Sequence, residues 1–513
     1  MAKPTHDNTA KRGGVLKSIE AIGNALPHPA IIFVILTALV VVISYFVAKS
    51  GLQVTYYDAR QAKEVTIGAT NMLSVEGLRF FFNSATGNFT GFAPLGTVLV
   101  AMLGVGVAEY SGLINASLKK LLSNVPASLL TAVVVFAGVM SNVASDAGYV
   151  VVIPLGAIVF AGAGRHPIAG LAAAFAGVSA GFSANLLVGT LDPLLAGITN
   201  EALKASGSDY TMLATGNFYF MFVSTFLLTI LGTIVTERIV EPNLGPYTGE
   251  FKPDAEKLTA VENKGLRNAG VALVLFALLM AFLTVPQNAV LKEVDAAGKL
   301  NLNNFMHSGL IFMILLLFLI PGYVYGKATG KIKNTNDLVE AMTSAMKSMG
   351  GYLVLAFFAA QFVAFFGKSN LGTILSVEGA GFLERIGFKG IPLVLGFILI
   401  SAFINLFMGS ASAKWAIMAP IFVPMMMRLG LTPELTQVAF RIGDSSTNII
   451  TPLMSYFAMI VVFAKKYEKD SGLGTLISTM LPYSVVFLIG WAIMLIIWML
   501  VGLPLGPGAA LYM

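Results

Sequence analysis

The 513-residue sequence contains no cysteine, which excludes disulfides and thiolate metal sites. Its four histidines (His6, His28, His166 and His307) sit at the ends or edges of apolar runs, and none belongs to a His-Glu-x-x-His zinc motif. A phosphate-binding loop is also missing, because Gly326 to Lys331 fails that pattern in spacing and in its final residue. These absences argue against an enzyme and against an ATP-driven pump. Low-complexity tracts are absent too, and charged residues make up only 11% of the chain. What remains is apolar: 56% hydrophobic residues and a mean hydropathy of +0.81. A soluble domain of this size does not have that composition, and a helical protein that crosses the lipid bilayer several times does. The formal charge of +6 is accounted for by basic residues at membrane edges, so no nucleic-acid partner is expected.

Runs of about 20 apolar residues predict spans near 30–49, 91–110, 166–198, 216–238, 268–285, 307–325, 350–366, 432–463 and 478–503. Residues 1–29 form a polar, basic N-terminal segment, and the apolar run behind it is too long for a cleaved signal. Two further apolar stretches, 126–163 and 391–429, are interrupted by the polar clusters Ser141 to Asp146 and Gly409 to Ser412. Each is either a re-entrant hairpin or two more spans, and the polar tips favour hairpins. With nine spans, two hairpins and a cytoplasmic N-terminus, 19 of the 32 Lys and Arg fall on the cytoplasmic side and 11 outside. That is the bias of the positive-inside rule. The segments between spans, such as 50–88 and 239–265, read as polar connections, with an interfacial amphipathic helix over 72–84.

Residues 126–193 and 392–459 run in register at an offset of 266 without a gap. Identity is only 10 of 68 pairs, but Pro126, Pro154, Pro167, Gly164, Gly177 and Ser179 answer Pro392, Pro420, Pro433, Gly430, Gly443 and Ser445. Prolines and glycines fix backbone shape, so their coincidence marks a duplicated fold. The charge bias brings the first hairpin in from the cytoplasm and the second from outside. The expected fold is therefore all-α and polytopic, with nine transmembrane helices, two re-entrant hairpins and an inverted-topology repeat. Its first half (30–239) holds hairpin 126–163 and broken helix 166–198. A connecting region (240–349) carries spans 268–285 and 307–325, and the second half (350–513) holds hairpin 391–429 and broken helix 432–463.

Ionisable residues at membrane depth are few: Glu109, Asp146, Asp192, Lys414, Arg441 and Asp444. Each is costly there unless paired or hydrated. Arg441, Asp444, Ser445 and Asn448 stand at i, i+3, i+4 and i+7, one polar stripe expected to face an aqueous cavity. Arg441 offers a planar fork for a carboxylate. Asp444 is its counter-ion or a proton carrier, and the alternative is a permanent Arg–Asp pair locking the helix. Pro452 after the stripe, and Asn185 followed by Asp192 and Pro193 in the first repeat, predict that both helices break near the midplane. Asn142, Ser145, Asp146, Ser410 and Ser412 at the tips, with Asn405 one turn before, supply oxygen ligands suited to sodium or simply allow tight helix packing. Trp415 either stacks an aromatic ligand or packs. Lys414 either snorkels to an edge or pairs with Asp444.

At these residues the chain resembles the p-aminobenzoyl-glutamate transporter (AbgT) family, nearly end to end. The likeness includes Leu73 to Leu78, Gly91 to Gly96, Gly164-Arg165-His166-Pro167 and Ala419 to Pro424. Its most specific stretches are Arg441 to Ser446 and Val501 to Gly508. The resemblance implies a homodimer in the bacterial inner membrane, with a deep aqueous cavity in each subunit. It implies uptake of p-aminobenzoyl-glutamate and export of sulfonamide antimetabolites. The family's transport positions match at Asp192, Asn405, Ser412, Trp415, Pro433, Arg441, Asp444 and Pro452. The expectation is a secondary transporter of a small aromatic carboxylate driven by Na+ or H+, with no cofactor. Arg441 would take the carboxylate, Trp415 the ring, and the tips with Asn185, Ser445 and Asn448 the coupling ion, with Asp192 and Asp444 as candidate proton or cation carriers. A sodium-coupled importer of another dicarboxylate or peptide-like anion, or a channel, is the alternative.

Overall fold

The computed structural model describes residues 27–58, 63–122, 125–144, 148–249, 258–294, 300–451, 454, 456–469 and 471–513. Helix dominates because a backbone in hydrocarbon must satisfy its own N–H and C=O groups. Among the described residues, seven helices are long and apolar enough to cross a bilayer. They are Pro29–Ser50, Val75–Tyr110, Phe218–Leu244, Ala260–Thr284, Leu310–Thr329, Gly350–Lys368 and Leu473–Val501. Ala260–Thr284 leaves Leu275, Leu278 and Phe282 exposed on its outer face, as a lipid-facing helix should.

The polar connections hold more structure than their composition suggested. Gln53–Asp58 and Lys63–Gly68 form an antiparallel strand pair with Val54 opposite Ile67 and Thr55 opposite Thr66. A second, two-residue pair joins Glu293–Val294 to Leu300–Asn301, so the chain is helical but not purely so. Leu113–Leu122, Thr335–Ser348 and Leu371–Arg385 are additional short helices. The helix expected over 72–84 is Val75–Thr90, capped by Ser74 and leading through Gly91 and Phe92 into Ala93–Tyr110. Phe80 and Phe81 dock on Phe365, so this segment packs on protein as well as presenting Phe82 outward.

The repeat is visible in the backbone. The first hairpin pairs Leu130–Ser141 with Ile153–Gly162, and the second pairs Gly390–Asn405 with Ala411–Arg428. Each second arm ends in the same turn. Gly164 and Gly430 adopt φ of +73° and +80°, and Arg165 N–H and Leu431 N–H donate to Phe160 and Met426 carbonyls at 2.9 and 3.0 Å. His166 and Thr432 then cap helices that begin with Pro167 and Pro433, the position where a missing N–H costs nothing.

Each of those helices breaks. The first runs Pro167–Phe175, loosens into a π-helical turn at Ala176–Ala180, and resumes as Leu191–Ala205. The second runs Pro433–Thr447, tightens into a 3-10 turn at Asn448–Ile450, and resumes as Phe457–Lys465. Gly177 and Gly443 let each broken helix press against the first arm of its own hairpin. A Cβ on Gly177 would lie 2.3 Å from the Val135 carbonyl oxygen, and one on Gly443 2.4 Å from that of Ile398.

Candidate functional site

The two breaks meet. Asn448 Nδ2 donates to the Ser179 carbonyl at 3.3 Å, and Arg441 Nη2 donates to the Ser183 carbonyl at 2.9 Å. The same Nη2 lies 2.8 Å from Asp192 Oδ1. Asp192 also accepts from Gly189 N–H at 2.9 Å through Oδ2, so it holds the start of its own half-helix as well. Arg441 thus pairs with Asp192 across the repeat interface, and the i+3 neighbour Asp444 is not its partner. A short axial spacing on one helix suggested Arg441–Asp444, whereas the fold turns the two side chains toward different neighbours.

Asp444 pairs with Lys414. Lys414 Nζ stands 2.5 Å from Asp444 Oδ1, and both side chains are only 1% exposed. This decides the question left open by the sequence, since a lysine so buried does not snorkel. Asn405 completes the cluster: its Oδ1 accepts from Lys414. Its Nδ2 faces three oxygens, the Asp444 carbonyl at 2.7 Å and Thr447 Oγ1 and Asn448 Oδ1, each at 2.9 Å. Those acceptors fix which end of the amide is nitrogen. Thr451 Oγ1 donates to the carbonyls of Thr447 and Asn405. Of the four charges in these two pairs, three belong to the second repeat; Gly148, Phe175 and Val178 stand at the matching positions of the first.

The polar stripe is therefore covered by protein in this conformation, and every residue from Pro433 to Thr447 is buried. Its far end borders a cavity. Asn448 lines a cavity of about 380 Å³ together with Ser410, Ser412, Tyr149, Met454 and Tyr456. Tyr149 and Tyr456 stack with centroids 4.5 Å apart. Ser410 caps the helix Ala411–Arg428 by accepting from Ala413 N–H, and its hydroxyl lies 3.3 Å from that of Ser412. Asn142 donates to the Val139 carbonyl, and Asn185 accepts from Leu187 N–H. Ser145, Asp146 and Pro452 lie outside the described residues. Asn142 Oδ1, Ser183 Oγ, Arg441 Nε and Ser445 Oγ are buried polar atoms without a hydrogen-bond partner.

Trp415 does not face the cavity. Its ring lies 4.6 Å from that of Phe440, its N–H donates to Thr199 Oγ1 at 2.9 Å, and it is 0% exposed. Gln437 Nε2 donates to the same hydroxyl at 2.8 Å. Thr199, Gln437 and Glu434, which accepts from Tyr210 OH at 2.9 Å, were missed by the sequence reading. A signal existed, because Glu434 and Gln437 extend the stripe backward from Arg441 at helical spacing. No cluster of three His, Asp or Glu side chains that could hold a metal ion occurs among the described residues.

A family model of AbgT transporters matches residues 14–513. The chain belongs to the AbgT family. It is 40% identical over 512 residues to the p-aminobenzoyl-glutamate transport protein of Escherichia coli K12, covering 99% of each chain. Two solved structures of the family are also similar. The YdaH transporter of Alcanivorax borkumensis, described as having an unusual topology, superposes with a TM-score of 0.86 at 46% identity, over 94% of this chain and 100% of that one. MtrF of Neisseria gonorrhoeae, described as illuminating a class of antimetabolite efflux pumps, superposes with a TM-score of 0.90 at 48% identity, over 96% and 100%. Membership in this family makes the protein a multi-pass membrane transporter.

Proposed function

We propose that this protein is an ion-coupled secondary transporter of a small aromatic carboxylate. Its substrates would be p-aminobenzoyl-glutamate, sulfonamide-type antimetabolites carried outward, or both. The observation that carries the reading is the Arg441–Asp192 pair, which ties the break of one repeat to the break of the other. A substrate carboxylate reaching the guanidinium competes with Asp192 for the same fork. Displacement would free Asp192 to take up a proton or a cation, and this would couple binding to the ion. The serine-bearing second tip and Asn448 border the cavity and are the candidate route to that pair. Trp415 acts here through packing, holding Thr199 and Gln437 beside the charged residues.

Nine spans follow if the two broken helices are added to the seven long apolar ones. The arms of the second hairpin have 16 and 18 residues, about 24 and 27 Å of helix, short of a core of about 30 Å. That favours re-entrant hairpins. The N-terminus is assigned to the cytoplasm by the distribution of Lys and Arg. The site of action is assigned to the bacterial inner membrane as a homodimer, following the family resemblance.

Counterflow of labelled p-aminobenzoyl-glutamate in proteoliposomes tests the reading, with sodium and pH gradients then imposed separately. A carrier exchanges labelled for unlabelled solute, whereas a channel, the competing class, does not. Absence of exchange with this and with sulfonamide solutes would remove the substrate assignment.

A further inference from the structure

Lys414 places its ammonium between two buried oxygens. The oxygens around its ammonium are the Asp444 carboxylate and the Asn405 amide. Asn405 cannot turn its nitrogen toward Lys414 without abandoning the three acceptors that hold it. The fold therefore aims a carboxylate and a carbonyl-type oxygen at one buried point. Hard oxygen donors of this kind are ligands for hard cations. An ammonium is a compact point charge with three donors, close in its demands to such an ion.

The other charges near this point are already committed. Arg441 is bound to Asp192 and the Ser183 carbonyl, and Glu434, three turns before Asp444 on the same helix, accepts from Tyr210. Asp444 has no cationic partner but Lys414 among the described ion pairs, and an unpaired carboxylate at 1% exposure would be strongly unfavourable.

We infer that Lys414 is a resident cation, occupying an oxygen cluster built by Asp444 and Asn405 and closing that cluster to sodium. This rests on the transporter reading only in giving the cluster a role during transport. The cluster itself is a property of the folded chain, so it is tested on purified protein without substrate.

Thermal unfolding is compared in sodium chloride and in choline chloride at equal ionic strength, with sodium binding followed in parallel using labelled Na+. Wild-type protein supplies the reference number of sites. Removing the ammonium by Lys414→Ala should add one sodium site and a sodium-specific rise in Tm. Neutralising the carboxylate as well, in Lys414→Ala/Asp444→Asn, should abolish both. Equal sodium binding in wild type and Lys414→Ala overturns the inference, and so does a new site that survives Asp444→Asn. If Lys414→Ala unfolds in choline, recovery of folded protein by purification in sodium supports the inference. Continued failure in sodium, with the double variant folded, overturns it. Wild-type counterflow is measured separately, so failed transport is not confused with failed cation replacement.

Discussion

Asp192 and Arg441 bind each other across the seam between the two repeats, Oδ1 to Nη2 at 2.8 Å. Neither has a charged counterpart in the other repeat, where Ala458 answers Asp192 and Phe175 answers Arg441, and the two residues are 249 positions apart in the chain. The contact exists only because both broken helices cross at their breaks. Arg441 is 2% exposed and Asp192 14%, so the carboxylate is the member nearer to water.

Arg441→Ala is expected to abolish counterflow while leaving a folded protein, because the carboxylate it releases can hydrate. Asp192→Asn should keep the fold and weaken coupling to the imposed ion gradient more than it weakens exchange. Proteoliposome exchange and gradient-driven uptake, measured on the same preparations, separate the two effects. Normal transport by Arg441→Ala would remove the pair from the mechanism.

Asp444→Ala should behave differently. It strands a buried ammonium, and removing one partner of a buried pair costs about 3–5 kcal/mol. Loss of flux in this variant should therefore come with a lowered Tm, unlike Arg441→Ala. Lys414→Met/Asp444→Leu, which removes both charges, should regain most of the stability without regaining transport. Unfolding curves in detergent make the comparison.

Gly177→Ala and Gly443→Ala should each destabilise by about 1–3 kcal/mol, the cost of forcing extra volume into a packed contact. Each new methyl would meet the hairpin backbone at under 2.5 Å. Gly270→Ala is the control: it sits in the helix Ala260–Thr284 with nothing within 4 Å of an added Cβ. That change should stabilise by about 0.5–1 kcal/mol. Similar effects at all three sites would contradict the close approach.

Trp415→Phe should lower stability by about 1 kcal/mol through loss of its bond to Thr199 and leave the KM for substrate nearly unchanged. Trp415→Ala opens a cavity and should cost about 3–5 kcal/mol. A large KM change in the phenylalanine variant would instead mean that the indole touches the solute.

The outline of the membrane helices was legible because apolar runs of sufficient length have few alternatives in a bilayer. The duplication was legible through Gly164, Gly430, Pro167 and Pro433, since a left-handed turn and a proline at a helix start leave their mark in residue type. The strand pair at 53–68 was missed although Val54, Thr55, Tyr56 and Tyr57 are strand formers. Its polar setting hid it. Lys414 and Asp444 were both singled out, but their pairing stood only as an alternative to snorkelling, because contacts between separate helices have no local spacing. Trp415 was left between a ligand and packing, and in this structure it packs. Whether an aromatic ring meets a cavity or another ring depends on the neighbouring helix, here through Phe440.

On the proposed transport reading, the four charges of the two ion pairs bear on how the protein would respond to voltage. Two cations and two carboxylates, Lys414 with Asp444 and Arg441 with Asp192, sum to zero. Moving the cluster through the membrane field then performs almost no electrical work, against about 2.3 kcal/mol for each unbalanced charge per 100 mV. On that same reading, a solute or ion that arrives with its own charge is then what makes the movement electrogenic.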